Sequence, residues 1–324
     1  MASGSSSLLR AAIEWIPQRI RNSPWSLIAA AVLSCLLFVD IPFEDSYRSL
    51  NAFWNLGHIP LFALFARLFF VDNRALQHYT MAQRLAACVL ASALLGALVE
   101  LLQYGLARNM DLADVYRDVL GALLGFIFSP LGISAIKAGL MRAGVALLLL
   151  FQLQPLAAAL VDEQRARSAF PLLSGFEMQA ELGRWRSGEN QRLSADQVYS
   201  GNSSLRFTTD TQSYSGISLA YFPGNWSAYQ QLSLAVYSEQ EGLVMTLRIH
   251  DSQHLQGPQR YQDRFNRSFT LNQGWNQLTV PLTEVAAAPL DRRLDLQQVA
   301  GLGLFVVRQR LARTFYLDQV QLLR

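Results

Sequence analysis

The chain has 324 residues, 51% of them hydrophobic and 16% charged, with a formal net charge of +3. The charge splits almost evenly, with 11 basic against 10 acidic residues through Asp162 and 16 against 14 after it, so neither half carries the basic patch that nucleic-acid binding needs. The two cysteines, Cys35 and Cys88, both lie inside apolar runs, which excludes a disulfide-stapled fold.

Residues 1–23 carry Arg10, Arg19 and Arg21 and read as a cytoplasmic N-terminal segment. Five apolar runs follow, at 24–41, 52–71, 85–106, 115–136 and 140–161. Each approaches the ~20 residues that cross a hydrocarbon core. A bilayer leaves no partner for free backbone groups, so these runs must be helices. Residues 24–161 are therefore expected to form a helical membrane domain of about five transmembrane helices.

Orientation follows from basic residues in the short connections. Arg67, Arg74 and Arg84 flank the second connection, and Lys137 and Arg142 the fourth. The first holds Asp40, Glu44 and Asp45 with a single Arg48, and the third holds Arg108. The N-terminus is expected in the cytoplasm, and five spans place the C-terminal half outside. In a bacterial envelope with two membranes this means a multi-pass inner-membrane protein with a periplasmic domain. An even number of spans would reverse that.

Ionisable groups inside spans cost at least ~2.5–3.5 kcal/mol each, so they are usually paired and functional. Glu100 and Gln103 share one helix face, Asp114 and Asp118 another, and His58 lies early in the second span. The expected topology brings all of them to the external ends of their helices. Asn55-Leu56-Gly57-His58, Glu100-x-x-Gln103, Arg108, Asp114 and Gly121-x-x-x-Gly125 together resemble the VanZ-like family, whose prototype is a teicoplanin-resistance protein. The resemblance covers roughly residues 25–135. It departs at Asn55, where the family has Lys, and at Asp118, where it has Asn. What it implies is a site at His58, Glu100, Gln103, Arg108, Asp114 and Asp118, not a reaction. Such a set serves acid/base work or holds a divalent cation at a polar headgroup, or else it only fixes helix packing.

Residues 162–171 read as a charged connector that Pro171 ends. From residue 172 the pattern alternates with period two, at Leu232/Leu234/Val236, Leu243/Met245/Leu247/Ile249, Leu278/Val280/Leu282 and Leu302/Leu304/Val306. Turn residues at Gly201-Asn202, Pro223-Gly224-Asn225, Glu241-Gly242 and Gln273-Gly274 punctuate it. Eight or nine strands in an antiparallel all-β sandwich or jelly roll are expected over 172–324. Gly175-Phe176-Glu177, Gly201-x-x-Ser204-Leu205, Asn272-x-Gly274-Trp275-Asn276 and Tyr316-Leu317-Asp318 are similar to galactose-binding-like, carbohydrate-binding-module jelly rolls. That resemblance implies a structural Ca²⁺ near Glu177 and Asp318.

If Leu247 and Ile249 point inward, Arg248 and His250 point out, with Tyr261 and Arg264 near in sequence. Sugars are held by stacked aromatic rings and planar hydrogen-bonding side chains. Trp226, Tyr229, Tyr237 and Tyr261 are the candidate platform, and Arg248, His250 and Arg264 the candidate polar rim. The expectation is an envelope protein that recognises a glycan or glycolipid through the external jelly roll. The alternatives are a membrane enzyme acting on a lipid-linked saccharide, and a structural adaptor for envelope protein partners. Membrane lipid is an expected partner and nucleic acid is not.

Overall fold

The computed structural model describes residues 28, 47–105, 112–130, 132–186 and 191–324. These form two compact units, residues 50–157 and residues 47–49 with 158–324. In the helical part, α1 (Arg48–Asn55) and α2 (His58–Ala66) run on through a π-helical turn, Arg67–Val71. Helices α3 (Met81–Gly105), α4 (Leu112–Phe126) and α5 (Ala135–Ala169) follow.

Among the described residues, three helical segments are long and apolar enough to cross a membrane: Arg48–Val71, Met81–Leu102 and Ala135–Ala169. That is fewer than the five expected. The first expected run, 24–41, lies outside the described residues apart from Ile28. The fourth needs correcting, because α4 has 15 residues. At 1.5 Å per residue it reaches about 22 Å. It ends before Ser129-Pro130, since proline lacks an N–H and disfavours helical backbone in the residue before it. Helices α3 and α5 leave Leu94, Leu101, Leu147 and Phe151 exposed, an apolar surface suited to lipid.

Helix α4 packs against α2 and α3. A Cβ on Gly121 would strike the Ile59 carbonyl and Phe62, and one on Gly125 would strike Ala63 and Ala66. These two glycines let the α4 backbone approach α2 closely, the small-residue packing that replaces hydrophobic driving force in a membrane.

The second unit is a sandwich of two antiparallel sheets. One has the order β3 (Gln191–Ser194), β4 (Ser204–Thr208), β11 (Thr314–Leu323), β6 (Gln231–Ser238), β9 (Gly274–Pro281), with β1 (Leu172–Ser174) also paired to β11. The other runs β2 (Trp185–Arg186), β5 (Tyr214–Leu219), β10 (Val299–Val307), β7 (Leu243–Asp251), β8 (Phe265–Leu271). The alternating residues Leu232, Leu234, Leu247, Ile249, Leu302 and Leu304 are fully buried between the sheets. Eleven strands are present among the described residues, more than expected, because β1, β2 and β3 are two to four residues long and show no alternation. Gly242 and Gly274 take the left-handed backbone, φ 77° and 96°, at the β6–β7 and β8–β9 turns.

The expected connector 162–171 continues α5 as far as Ala169. Asp162, 1% exposed, accepts from Arg184 Nη2–H (2.8 Å) and Nε–H (3.0 Å) and from Arg48 Nη1–H (3.0 Å), while Arg165 and Arg167 are exposed. Glu163 accepts from the Ser49 N–H and hydroxyl, each at 2.8 Å. Asp162 and Glu163 are thus engaged inside the second unit, Asp162 through a buried ion pair with Arg184.

Candidate functional site

The outer face of the five-stranded sheet is set by strand register. Leu247 and Ile249 point into the core, so Arg248 and His250 stand on the opposite face. Arg248 lies across from Gly303 on β10 and Asn266 on β8, and His250 across from Gly301. Gly303 in turn faces Ser218, and Phe305 faces Gly216. Any side chain at Gly301 would collide with the His250 ring, and one at Gly216 with Phe305. The His250 ring and Phe305 occupy the room these glycines leave, so side chains form the floor of the face.

Around this floor lie aromatic rings and cationic side chains. Tyr214 and Tyr261 are 71% and 66% exposed. Arg248 sits over the Phe305 ring at 5.9 Å and Arg264 over Tyr261 at 5.6 Å. Phe305 and Tyr214 meet edge to face at 6.0 Å. Four polar atoms here are sheltered yet have no hydrogen-bond partner in the protein: Arg248 Nε, His250 Nδ1, Arg264 Nε and Asn266 Oδ1. Burial first, then Arg248, His254 and Arg264, pushes His250 down to about 4, so it is neutral near pH 7. Burial, followed by repulsion from Arg264, also lowers the Arg248 guanidinium.

The carboxylates beside this face are already engaged. Arg292 donates to Asp251 Oδ1 at 2.8 Å and to Asp263 Oδ2 at 3.0 Å, and the Asp295 N–H donates to Asp251 Oδ2 at 2.9 Å. His254 Nδ1 lies 3.1 Å from Asp263. Hydrogen bonds from Arg292 hold Asp263 below the usual carboxylate range. Burial alone would raise Asp251, but Arg292 and two backbone N–H groups outweigh it and lower it. This lock fixes the loop that presents Tyr261 and Arg264, and the Asn266 amide secures it by donating to the Tyr261 carbonyl at 3.1 Å.

A second polar cluster lies among the helices. His58 Nδ1 is 2.8 Å from Asp118 Oδ1, and Nε2 faces Asp114 Oδ2 at 3.7 Å. Asp114 pairs with Arg117, whose Nε–H donates to Gln152 at 3.3 Å. Asp118, His58 and Glu100 are buried. Gly96 on α3 makes the room, since a Cβ there would strike the Asp118 carboxylate. A buried carboxylate that accepts from Nδ1–H orients the imidazole and leaves Nε2 to take or give a proton.

Residues 6–133 match the VanZ/LLP1 family, and residues 173–324 match Carbohydrate binding domain 30. The chain joins a VanZ-like domain to a carbohydrate-binding-module jelly roll. Among solved structures, the chain is similar to a family 11 carbohydrate-binding module from Clostridium thermocellum in complex with a β-1,3-1,4-mixed-linked tetrasaccharide. Identity is 18%, coverage 47% of this chain and 94% of that one, and the TM-score 0.35. A family 30 module of a Clostridium thermocellum cellulosomal cellulase matches at 16% identity, covering 43% and 85%, with a TM-score of 0.32. No curated protein matches the chain.

Within the carbohydrate-binding domain, the structure gathers Arg248, His250, Tyr261 and Arg264 on one face but not the other expected aromatics. Trp226 needs correcting: it is fully buried, stacks on Phe222 at 5.6 Å, and donates its Nε1–H to the Pro223 carbonyl at 3.1 Å. Tyr229 is half-buried, edge-on to Phe170. Tyr237 lies on the other sheet, against Trp275 at 5.5 Å and Tyr316 at 5.7 Å. Tyr214, Phe305, Asn266 and the three glycines are members of the site that sequence reading missed; only the period-two alternation of β5 and β10 hinted at them.

The implied calcium site does not fit either. Asp318 accepts N–H groups of Tyr199, Ser200 and Gln319 at 3.0, 3.0 and 2.7 Å. Glu177 accepts from the Asn202 N–H at 2.9 Å and side-chain amide at 3.1 Å. Hydrogen-bond donors, not further oxygens, converge on these carboxylates, where Ca²⁺ wants six to eight oxygen ligands. Their role here is to clamp the loop around Gly201. Among the described residues, no three His, Cys, Asp or Glu side chains group as metal ligands, in either domain.

In the VanZ-like domain, His58 lies against both Asp114 and Asp118. Glu100 is buried on α3. Gln103 lies near the end of α3, and Arg108 falls outside the described residues.

Proposed function

We propose that this is a cell-envelope membrane protein whose carbohydrate-binding domain takes a glycan or glycolipid on the outer face of the five-stranded sheet. The observation that carries it is the set of four partnerless polar atoms beside exposed Tyr214 and Tyr261. Sheltered polar groups cost free energy unless hydrogen-bonded, and a saccharide supplies hydroxyls to pair with them while its apolar ring face stacks on tyrosine. The membrane orientation in this reading has the N-terminus in the cytoplasm and the jelly roll outside, periplasmic in a two-membrane bacterium. Lys137 and Arg142 at the start of α5 support it. The test is titration of glycans on the full chain in lipid nanodiscs, comparing the native sequence with Tyr261→Ala. Saturable binding that weakens about tenfold or more in the variant is expected. Absence of binding to every envelope glycan would sink the reading and favour a protein adaptor.

The buried His58–Asp118 contact favours a second reading, a membrane enzyme acting on a lipid-linked saccharide that the jelly roll recruits. Here Nε2 of His58 would move the proton, Asp118 would orient the ring, and Asp114 would face the proton-bearing group. His58→Ala should then abolish turnover while glycan titration of the jelly roll stays unchanged; retained turnover removes His58 from the chemistry.

A further inference from the structure

We infer that the ligand of the carbohydrate-binding domain is an anionic glycan, its oxyanion seated between Arg248 and Arg264; this rests on the glycan-binding reading above.

A neutral sugar presents hydroxyls that both donate and accept, so a site for it balances donors with acceptors. This face does not. Among the described residues neither Arg248 nor Arg264 forms an ion pair, although both are partly sheltered and each has a partnerless Nε–H. The carboxylates near them in sequence, Asp251 and Asp263, are both held by Arg292. Arg264 adjoins Phe265, which pairs with Ile249 beside Arg248, and its charge disfavours that of Arg248. His250 adds a nitrogen that is neutral near pH 7 rather than a negative counterweight.

Geometry favours an oxyanion over a chance excess of positive charge. A guanidinium is a planar fork that matches carboxylate and ester oxyanions with two parallel hydrogen bonds. Phe305 beneath Arg248 and Tyr261 beneath Arg264 restrict where the two forks point. Asn266 Oδ1, across from Arg248, is a partnerless acceptor and suits a neighbouring sugar hydroxyl. A uronate carboxylate and a sulfate or phosphate ester share the required chemistry.

The full chain in nanodiscs is titrated with matched pairs: alginate and polygalacturonate against their carboxyl-reduced forms, and a sulfated galactan against its desulfated form. At least one anionic member should bind about tenfold or more tighter than its neutral counterpart, and raising NaCl should weaken it. Arg248→Gln and Arg264→Gln, which remove charge but keep a donor, should each bring the anionic member close to its neutral partner. Unchanged circular dichroism shows that the fold persists in both. Equal or tighter binding of the neutral members, insensitive to both substitutions, overturns the anionic assignment while leaving glycan binding intact. No binding to any member, charged or neutral, overturns both.

Discussion

The polar cluster of the VanZ-like domain and the polar face of the carbohydrate-binding domain handle charge in opposite ways. Among the helices, His58, Asp118, Asp114, Arg117 and Gln152 form a chain in which each group meets another. On the sheet, Arg248, His250, Arg264 and Asn266 each keep an atom with no protein partner. Buried ionisable groups are costly unless paired, and a network that pairs them internally is satisfied without a ligand. A sheet face that borders water can leave groups open, because water or ligand completes them. Open donors therefore point to binding more strongly than a closed network does.

Several substitutions would break or sharpen that contrast. The largest effect belongs to a closed network: Asp162→Ala strands Arg184, 4% exposed, and should cost about 3–5 kcal/mol in unfolding free energy. A loss below about 1 kcal/mol, the range of a surface pair, would show that this pairing does not hold the segment. Gly121→Val should come next, at about 1–3 kcal/mol, because the new side chain meets the Ile59 carbonyl. Thermal melting in detergent reads it, with Gly139→Val as a control where nothing lies within 4 Å of an added Cβ.

The Arg292 lock predicts a pH dependence. Asp251 and Asp263 are held below their ordinary range in the folded state, so the stability they confer is fully present above the unfolded value, about pH 4. It is lost as pH falls through the depressed folded values. Arg292→Leu should flatten that acid limb in denaturant titrations; an unaltered limb would place the acid sensitivity elsewhere. Asp118→Asn should lower stability by less than about 1.7 kcal/mol, the upper range for hydrogen bonds between membrane helices. The smallest effect should come from Arg248→Gln, within about 0.5 kcal/mol of the native chain, since its Nε–H has no hydrogen-bond partner to lose. A large destabilisation there would mean the arginine is structural and would erase the contrast.

Much of the sandwich was readable because inward residues of β6, β7, β9 and β10 alternate strictly. The short strands β1 to β3 were not, since two to four residues carry no period. Period two also placed Arg248 and His250 outward, but it says nothing of which sheet a strand joins. Tyr237 is outward too, yet on the other sheet, and Trp226 is an aromatic of the core rather than of the platform. The helical cluster was legible from the cost of charge in apolar runs, whereas the need for Gly96 beside Asp118 was not.

By itself, the sequence determined the division into an apolar helical half and an alternating β half, and it marked His58, Asp114 and Asp118 as exceptional. Those features are local: hydrophobic period and the energetic oddity of a charge in an apolar run are properties of neighbouring residues. Only the tertiary structure decided that α4 is too short to count as a span, that Asp162 is buried, and that β5, β10, β7 and β8 lie in that order. Strand order depends on which non-local pairings bury the most apolar surface together, and it is this order that brings Gly216, Gly301, Gly303, Phe305 and Asn266 beside Arg248.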